Sequence, residues 1–448
     1  MPILTGFLSR KLAPYLDANR WLLAYSGGVD SHVLLDLLLG IPGRPPITAV
    51  HINHQLQPEA VQWRIHCEQQ AKAAGIDFIA IDVDVDLKSG HSIEDAARRA
   101  RYQAFESIVV SGDVLFFGHH LDDQIETLML RMLRGSGTRG SAAMPASRPI
   151  GDGVLMRPLL DTPRSAIESY AETRQLVWVE DPSNQREDFD RNFLRHSVLP
   201  SIEQRWPAYR QTLSRTALLN DEAAYLNDEL ADSDLRQSGV FEQGVSSTMA
   251  VKLLEGLGRP RQKNLLRHFL TLNRMAVPSA AQLNEALDQL LGAGDDAAPL
   301  IEWHGVQLRR FDRQIMVMTP LPPVDTTKHY HWNLTNTISL GNAGQLSAVT
   351  SQRGGIDPVR IKAGECVVKF RQGGERCQPA GRGSSQTLKK LFQEYRLAPW
   401  LRDRIPLITC QGDIVAVGDL WVCEGWQVED GSAGVSVVWQ QENLIPSY

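Results

Sequence analysis

Residues 21–40 read WLLAYSGGVDSHVLLDLLLG, and they decide the fold of the amino-terminal part of this 448-residue chain. A short apolar run comes first, a loop with two glycines and two serines follows, and a helix-length apolar run closes at a glycine. This order predicts a buried strand, a tight loop and a helix. Adjacent glycines allow a sharp turn, and the backbone N–H groups of a helix N-terminus bind anions. The segment therefore predicts a cradle for phosphate groups.

The cradle differs from a Walker loop, because no Gly-Lys-Ser/Thr follows it and no lysine is placed to reach a γ-phosphate. Instead it contains Asp30, and an acid beside phosphates suits a magnesium ion that bridges them. The alternative is an ordinary glycine-rich turn between a strand and a helix. The loop resembles the pyrophosphate loop of the N-type ATP pyrophosphatases, which cleave ATP between its α- and β-phosphates and adenylate a substrate. That resemblance implies that ATP is bound by Ser26, Gly27, Gly28, Val29, Asp30 and Ser31.

Further short apolar segments follow at 47–51, 78–83 and 114–118, and helical segments separate them. The alternation predicts an α/β fold with a doubly wound parallel sheet. Ligands of such sheets bind beyond the carboxyl ends of the strands. The loop, His51 and the segment after residue 118 should therefore converge, and we predict that His51 borders the nucleotide. In the helix expected over 59–74, Val61, Ile65, Ala71 and Ala74 approximate one apolar face.

Residues 118–127, GHHLDDQIET, form a second motif. In a helix that begins here, Asp123 and Glu126 are three residues apart and share a face. With His120 they can carry protons, bind magnesium or hold an ammonium group. The alternative is that the acids merely cap the helix N-terminus. The density of acids beside a phosphate loop favours a catalytic or metal-binding role over helix capping alone. We predict that the catalytic residues are Asp30, His120, Asp123 and Glu126. We also predict that Asp30 and Asp123 are magnesium ligands.

The composition is that of an ordinary soluble globular protein, with 43% hydrophobic and 22% charged residues. No apolar run approaches the roughly 18 residues that a membrane span needs, and no signal-peptide pattern is present. A cytoplasmic enzyme with no membrane partner is therefore expected. The five cysteines are scattered without a Cys-x-x-Cys pair, which indicates reduced thiols rather than disulfides or a zinc site.

Three domains are expected. Residues 1–215 would form the catalytic α/β domain, 216–320 a mainly helical domain that ends in a hairpin over 300–318, and 328–448 a small α+β domain. The net charge of −6 argues against a surface that binds nucleic acid everywhere. Residues 360–405, however, hold eleven Lys and Arg against four acids, which indicates a polyanion-binding region.

Along nearly its whole length, the chain resembles the tRNA(Ile)-lysidine synthetase family. In the amino-terminal part, the resemblance rests on SGGVDS at 26–31, HINH at 51–54, HLDDQIE at 120–126, RGSG at 134–137, RPLL at 157–160, DPSN at 181–184 and RNFLR at 191–195. In the carboxyl-terminal part, it rests on FR at 370–371, GGE at 373–375, LKKLF at 388–392, PW at 399–400 and PL at 406–407.

The family resemblance implies a fold similar to that of the adenine nucleotide alpha hydrolases and a two-step ligation. ATP adenylates the C2 oxygen of the wobble cytidine in tRNA(Ile) with a CAU anticodon, and free L-lysine then displaces AMP to give lysidine. ATP is the co-substrate and Mg²⁺ the cofactor. Asp123 and Glu126 would orient the lysine amine or the metal, with His120 nearby. The middle and last domains would bind tRNA, the residues expected to hold it are Arg191, Arg195, Arg371, Lys389 and Lys390, and the formation of a homodimer is left open.

Two alternatives belong to other functional classes. A tRNA thiolase of the same superfamily typically needs a paired or nucleophilic cysteine near its site, whereas the catalytic region has only Cys67. A non-catalytic, nucleotide-gated RNA-binding protein would not require three acids beside the phosphates.

Overall fold

The structure is a computed structural model. It describes residues 2–55, 58–85, 93–182, 189–236, 247–294, 297–352, 354–361, 366–429 and 432–440. Ser183 and Asn184 of the DPSN motif lie outside these ranges. The chain forms two compact units, residues 1–226 and 227–448. No helix in the described ranges is both long and apolar enough to cross a membrane.

The first unit is built on a six-stranded sheet with the order β3-β2-β1-β4-β6-β5. All neighbouring strands run parallel except the edge strand β5, which pairs antiparallel with β6. The predicted doubly wound sheet is confirmed, and the antiparallel edge is an addition to it. The strands are β1 Arg20–Ala24, β2 Ile47–Asn53, β3 Asp77–Asp82, β4 Asp113–Phe116, β5 Ser147–Ile150 and β6 Gly153–Met156.

Both faces of this sheet are covered. Trp21 and Leu23 of β1 pack into one apolar cluster, while Leu22 between them packs into the other. This two-sided burial explains why the strands read as continuous apolar runs. The helices are α1 Pro2–Leu12, α2 Val29–Leu39, α3 Ala60–Ala73, α4 Ile93–Ile108, α5 Leu121–Leu133, α6 Thr138–Ser141, α7 Arg164–Thr173, α8 Asp190–Phe193, α9 Leu199–Arg205 and α10 Tyr209–Arg236.

The predicted buried face of α3 is right at its carboxyl-terminal end and wrong at its start. Ala71 is buried and Ala74 packs against the core, whereas Val61 and Ile65 are 63% and 48% exposed, and Ala60 and Cys67 are buried in their place. The small residues let α3 lie close to the sheet beside the loop, which a count of large apolar residues does not detect. Helix α10 continues through residue 216, so the expected first domain boundary falls inside a helix.

The second unit contains a helical part and a strand-rich part. The helical part has α11 Val251–Glu255, α12 Arg259–Leu272 and α13 Ala280–Gly292 beside the sheet β7-β10-β9-β8, where β7 is Thr248–Ala250, β8 Leu300–Trp303, β9 Val306–Phe311 and β10 Gln314–Met318. The expected hairpin over 300–318 is thus a three-stranded meander. Leu265 and Leu287 are fully buried in the common core.

The strand-rich part begins after the prolines at 322–323. Its five-stranded sheet has the order β11-β14-β17-β18-β19, and a three-stranded sheet has the order β12-β13-β20. The strands are β11 Tyr330–His331, β12 Ile338–Ser339, β13 Gln345–Ser351, β14 Cys366–Lys369, β15 Arg376–Cys377, β16 Gln386–Thr387, β17 Leu407–Cys410, β18 Asp413–Val417, β19 Trp421–Val422 and β20 Gly434–Gln440, and the helices are α14 Leu388–Glu394 and α15 Pro399–Arg402. The predicted α+β character is confirmed.

The turn after β1 requires glycine at position 27. Gly27 has φ +89°, and a Cβ there would lie 2.8 Å from Val179 Cγ2 and 3.0 Å from Cys67 Sγ. We expect Gly27→Ala to lower the free energy of unfolding by roughly 2 kcal/mol or more, because backbone strain and overpacking add. Chemical denaturation measures the change.

Two other glycines serve as controls that separate backbone strain from overpacking. Gly43 has φ +70° but no heavy atom within 4 Å of its virtual Cβ, whereas Gly137 has neither a positive φ nor a neighbour. Gly43→Ala should cost about 1 kcal/mol from conformation alone, and Gly137→Ala should be near neutral. Equal stabilities for the Gly27 and Gly137 variants would contradict the packing described for the loop.

Candidate active site

The phosphate loop lies between β1 and α2. Gly28 is the N-cap residue of α2, with φ −76° and ψ 164°, and no side chain caps the helix. The first N–H groups of a helix have no partner within the helix, so those of α2 are available to an anion. Ser31 Oγ donates to Gly28 O at 2.9 Å, and Ser26 Oγ accepts from Gly28 N–H at 3.3 Å. These bonds fix the shape of the predicted cradle.

The acid cluster adjoins the loop through a backbone contact. A Cβ on Gly118, just beyond β4, would lie 3.2 Å from the carbonyl carbon and oxygen of Asp30 and 3.3 Å from Ser31 N. Strands β1 and β4 are neighbours where the strand order reverses direction, which is the position where doubly wound sheets bind ligands. His120 Nε2 lies 3.7 Å from Asp30 Oδ1. The two motifs are therefore parts of one site.

His51 lies at the same edge of the sheet. Its Nδ1 is 2.9 Å from Tyr25 O at the end of β1, and the ring is buried. Burial lowers the pKa of His51. The residue is thus placed beside the loop with its ring fixed, and its predicted role in nucleotide binding stays a prediction.

His120 caps α5 and faces the loop at the same time. Its Nδ1 accepts from Asp123 N–H at 3.4 Å, and Asp123 Oδ2 accepts from His120 N–H at 3.0 Å, which makes a reciprocal capping box. Because Nδ1 is an acceptor in this arrangement, the hydrogen-bond network assigns the proton to Nε2, the nitrogen nearest Asp30. The capping and functional interpretations of this motif are compatible.

Two arginines from the α8–α9 region meet the carboxylates of α5. Arg191 Nε lies 2.6 Å from Glu126 Oε2, and its Nη2 lies 2.8 Å from Asp123 Oδ1. Arg195 Nε lies 2.7 Å from Glu126 Oε1. Glu126 is fully buried, and a buried carboxylate needs such partners. The spacing in the sequence places each pair on one helix face but does not indicate that the acids and the arginines pair with each other.

The two aspartates of the site have opposite electrostatic environments. Burial raises the pKa of Asp30, and the nearby His120 offsets only part of this effect. Burial acts on Asp123 in the same direction, but His120 and Arg191 outweigh it and hold its pKa at about 2. Asp123 is therefore a permanently ionised group at neutral pH, whereas Asp30 is the better proton acceptor of the pair.

Asp122 has a different task from Asp123. Its Oδ2 accepts from the backbone N–H of Arg164 at 2.9 Å, and its Oδ1 lies 2.7 Å from Arg210 Nε. Asp122 therefore accepts a hydrogen bond from the first backbone N–H of α7, which the N-cap residue of that helix, Pro163, does not cap.

His119 and Arg157 belong to motifs found in the sequence, but sequence reasoning did not indicate that they pair. Arg157 is 2% exposed, and its Nε donates to His119 Nδ1 at 3.2 Å. Burial lowers the pKa of His119 to about 3, so the ring is neutral at physiological pH. Arg157 belongs to the RPLL motif. Its position directly after a buried strand is the sequence feature that could have indicated a functional residue.

The predicted tRNA-binding residues of the carboxyl-terminal part lie in the second unit. Arg371 Nη1 is 3.1 Å from Asp403 Oδ1, and Lys390 Nζ is 4.0 Å from Glu394 Oε1. Lys389 is exposed on α14 beside Lys390. Their role in binding RNA stays a prediction.

Three family models match the chain. Residues 6–202 match the PP-loop domain, residues 249–316 the TilS substrate binding domain and residues 366–439 the TilS substrate C-terminal domain. The chain is 39% identical over 438 residues to the tRNA(Ile)-lysidine synthase of Coxiella burnetii, with 96% of each chain covered. It is 40% identical over 427 residues to the tRNA(Ile)-lysidine synthase of Alkalilimnicola ehrlichii, with 95% of each covered.

The chain belongs to the tRNA(Ile)-lysidine synthase family. The predicted family is thereby confirmed, together with the predicted class of enzyme, an ATP-dependent ligase that forms lysidine on tRNA(Ile). The thiolase and the non-catalytic RNA-binding protein are not favoured. Among solved structures, the U34-tRNA thiolase NcsA from Methanococcus maripaludis aligns with a TM-score of 0.42 at 18% identity, over 49% of this chain and 81% of that chain.

The pairing of Glu126 with two arginines predicts a large stability effect. We expect Glu126→Gln to lower the free energy of unfolding by about 3 kcal/mol, because two partly buried guanidinium groups lose their shared counter-charge. Urea denaturation at neutral pH measures the loss.

Glu168→Gln is the matched control. Glu168 Oε1 lies 2.8 Å from Arg164 Nε, but both side chains are more than one-third exposed. An exposed pair contributes less than about 1 kcal/mol, so this variant should remain close to wild type. If both variants lost the same stability, the Glu126 cluster would not behave as a buried ion pair.

Proposed function

We propose that this chain joins L-lysine to C2 of the wobble cytidine in tRNA(Ile) with a CAU anticodon, in two steps at the site between β1 and β4. In the first step the cytidine O2 attacks the α-phosphate of ATP and pyrophosphate leaves. In the second step the ε-amine of lysine attacks C2, and AMP departs with the former C2 oxygen. Both steps use the same adenylated intermediate.

The observation that carries this proposal is the position of the Asp30 carboxylate. Asp30 Oδ1 is buried and has no hydrogen-bond partner within the described residues, although His120 Nε2 is 3.7 Å away. A buried oxygen without a partner is costly unless a ligand satisfies it. Asp30 lies in the first turn of α2, where the backbone binds phosphate, so the ligand must be something that accompanies phosphates.

Magnesium fits this oxygen. In the described residues, no group of three or more His, Cys, Asp or Glu side chains is placed to hold a metal by itself. Mg²⁺ in nucleotide sites is commonly held by one or two carboxylates together with substrate phosphates and water, which a single free oxygen on Asp30 satisfies. When bound, the ion would offset charge on the phosphates. Asp123 fits less well as a ligand, because its two oxygens already contact Arg191 and the His120 N–H.

In the first step, the chain supplies positive electrostatic potential. The N–H groups at the start of α2, with the Ser26 and Ser31 hydroxyls, would hold the departing pyrophosphate, and the proton on His120 Nε2 faces the same space. Donors fixed before the reaction stabilise charge that develops in the transition state. The protein's contribution to adenylation is therefore alignment and charge stabilisation.

In the second step, the lysine ε-ammonium must lose a proton before it can attack. Asp123 remains ionised at neutral pH and suits an attraction to the ammonium group. The proton leaves to water, because an Asp30 carboxylate that binds magnesium is not a free base. Arg191 and Arg195 now share the carboxylates of α5. Their predicted contact with tRNA requires donors that the carboxylates leave open or a rearrangement when RNA binds.

The direct test is mass spectrometry of transcribed tRNA(Ile) after incubation with the chain, ATP and L-lysine. The proposal expects a mass gain equal to lysine minus water at one cytidine, with one pyrophosphate and one AMP released for each lysine joined. A gain equal to replacement of oxygen by sulfur, in the presence of a sulfur donor, would instead identify a thiolase. Nucleotide binding without turnover would identify the non-catalytic alternative.

The two half-reactions separate the roles of the acids. We expect Asp30→Asn to slow pyrophosphate release at least 100-fold even when lysine is omitted, because adenylation itself loses its carboxylate. Asp123→Asn should slow the consumption of preformed adenylated tRNA by lysine more than it slows adenylation. Rapid-quench measurement of both half-reactions gives the two rates.

Asp77→Asn is the control, since Asp77 is exposed at the start of β3 on the edge of the same sheet. It should leave both half-reactions within a factor of two. If Asp30→Asn kept the wild-type rate of adenylation, the proposed role of the loop acid would be wrong.

A further inference from the structure

A basic cavity of about 420 Å³ lies beside the candidate active site. It is bordered by α4, α5, the edge strand β5 and the residue that follows β6. We call it the arginine pocket, and it is defined by Arg98, Arg99, Arg131, Arg148, Arg157 and the ring of Tyr102.

Among the described residues, the arginines of this pocket and those of the active site differ in their contacts with acids. In the active site, Arg195 meets Glu126 and Arg210 meets Asp122. Among the ion pairs between described residues, none involves the five pocket arginines. Of the described residues that line the cavity, five are arginines and one, Asp95, is an acid, so positive charge is in excess. Such an excess of like charge is destabilising until an anion binds.

The guanidinium groups are nevertheless held in place. Arg157 Nη1 donates to Pro145 O at 2.8 Å, and Arg131 Nη1 donates to Gly140 O at 3.2 Å. Arg98 and Arg148 stack near the Tyr102 ring, with Cζ 5.2 Å and 4.8 Å from its centroid. Planar donors that are fixed in advance bind oxyanions at low entropic cost.

Electrostatics within the pocket agrees with its geometry. Burial and, after it, the charge of Arg98 lower the pKa of Arg131. Tyr102 is half-buried, yet the arginines around it outweigh burial and lower its pKa. The lowered pKa of Tyr102, and the smaller contribution of Arg98 at Arg131, reflect a surplus of positive potential.

The pocket is connected to the reacting groups by one side chain. Arg157 Nε donates to His119 Nδ1 at 3.2 Å, and His119 precedes His120, whose Nε2 lies 3.7 Å from Asp30 Oδ1. A ligand in the pocket would therefore lie close to the substrate at the phosphate loop without occupying the loop itself.

We propose that the arginine pocket binds backbone phosphates of the RNA substrate next to the nucleotide that is modified. This inference rests on the proposed function, since it assumes that RNA enters the site between β1 and β4. ATP is already placed at the phosphate loop, and free lysine, the third substrate, carries two ammonium groups and one carboxylate at neutral pH. Five arginines would repel its net positive charge, whereas a phosphodiester chain gains from each of them.

The test is binding of transcribed tRNA(Ile) by the full chain at several salt concentrations. We expect Arg98→Gln and Arg148→Gln each to raise the Kd for tRNA about 5- to 10-fold, and the double variant to raise it further. The slope of log Kd against log salt should fall by roughly 0.7 for each phosphate that the variant no longer neutralises. The KM values for ATP and lysine should stay within a factor of two of wild type.

Lys72→Gln is the matched control, because Lys72 is an exposed cation on α3 of the same unit and lies outside the pocket. Its Kd and salt slope should equal those of wild type, and thermal unfolding of all variants checks that they remain folded. A raised KM for lysine with an unchanged Kd for tRNA would overturn the proposal in favour of a carboxylate site. Unchanged values for both ligands would overturn it as well. If the wild-type chain did not bind tRNA, the proposed function would be wrong. If the wild-type chain bound tRNA and the pocket variants bound it equally well, only the pocket proposal would be wrong.

Discussion

The close approach of Gly118 to the backbone of Asp30 is the constraint on which the site depends. Strands β1 and β4 are neighbours at the point where the strand order reverses, and the chain leaves both at the same edge. With no side chain at position 118, the segment after β4 can lie against the first turn of α2. His120 then reaches within 3.7 Å of Asp30, and α5 begins with its carboxylates directed into the same region. A phosphate cradle and a group of acids thus become one centre.

Arginine is used in two different ways around this centre. Arg191 and Arg195 neutralise the fully buried Glu126, and His120 together with Arg191 keeps Asp123 ionised, so these residues maintain the charge pattern of the site. Within the described ranges, no such ion pair forms at the arginines of the neighbouring pocket, and positive charge is in excess there. The contacts of each arginine, and not its residue type, indicate its role. Arginines paired with buried carboxylates stabilise the site, and the pocket arginines are the ones proposed to bind a ligand.

The sequence predicted the sheet and the loop because these features are local. An apolar run followed by SGGVDS and another apolar run permits few structures, and the alternation of elements then determines a parallel sheet. Pairings between distant segments were not predictable in this way. Nothing in the spacing of Arg191 or Glu126 indicates that they meet, since their contact depends on how α8 packs on α5. The buried face of α3 was predicted correctly at Ala71 but wrongly at Val61 and Ile65, because the small residues Ala60 and Cys67 fill the limited space beside the loop.

The loop after β1 and the acids after β4 can act as one centre only because Gly118 allows the two segments to touch. The most direct test is the rate of single-turnover lysidine formation by Gly118→Ala, measured with saturating ATP, lysine and tRNA(Ile) transcript. A Cβ at this position would stand 3.2 Å from the Asp30 carbonyl and displace it by a few tenths of an ångström. The variant should remain folded but form lysidine at least 10-fold more slowly than wild type, because small displacements of catalytic groups lower the rate strongly. A wild-type rate from this variant would contradict this expectation.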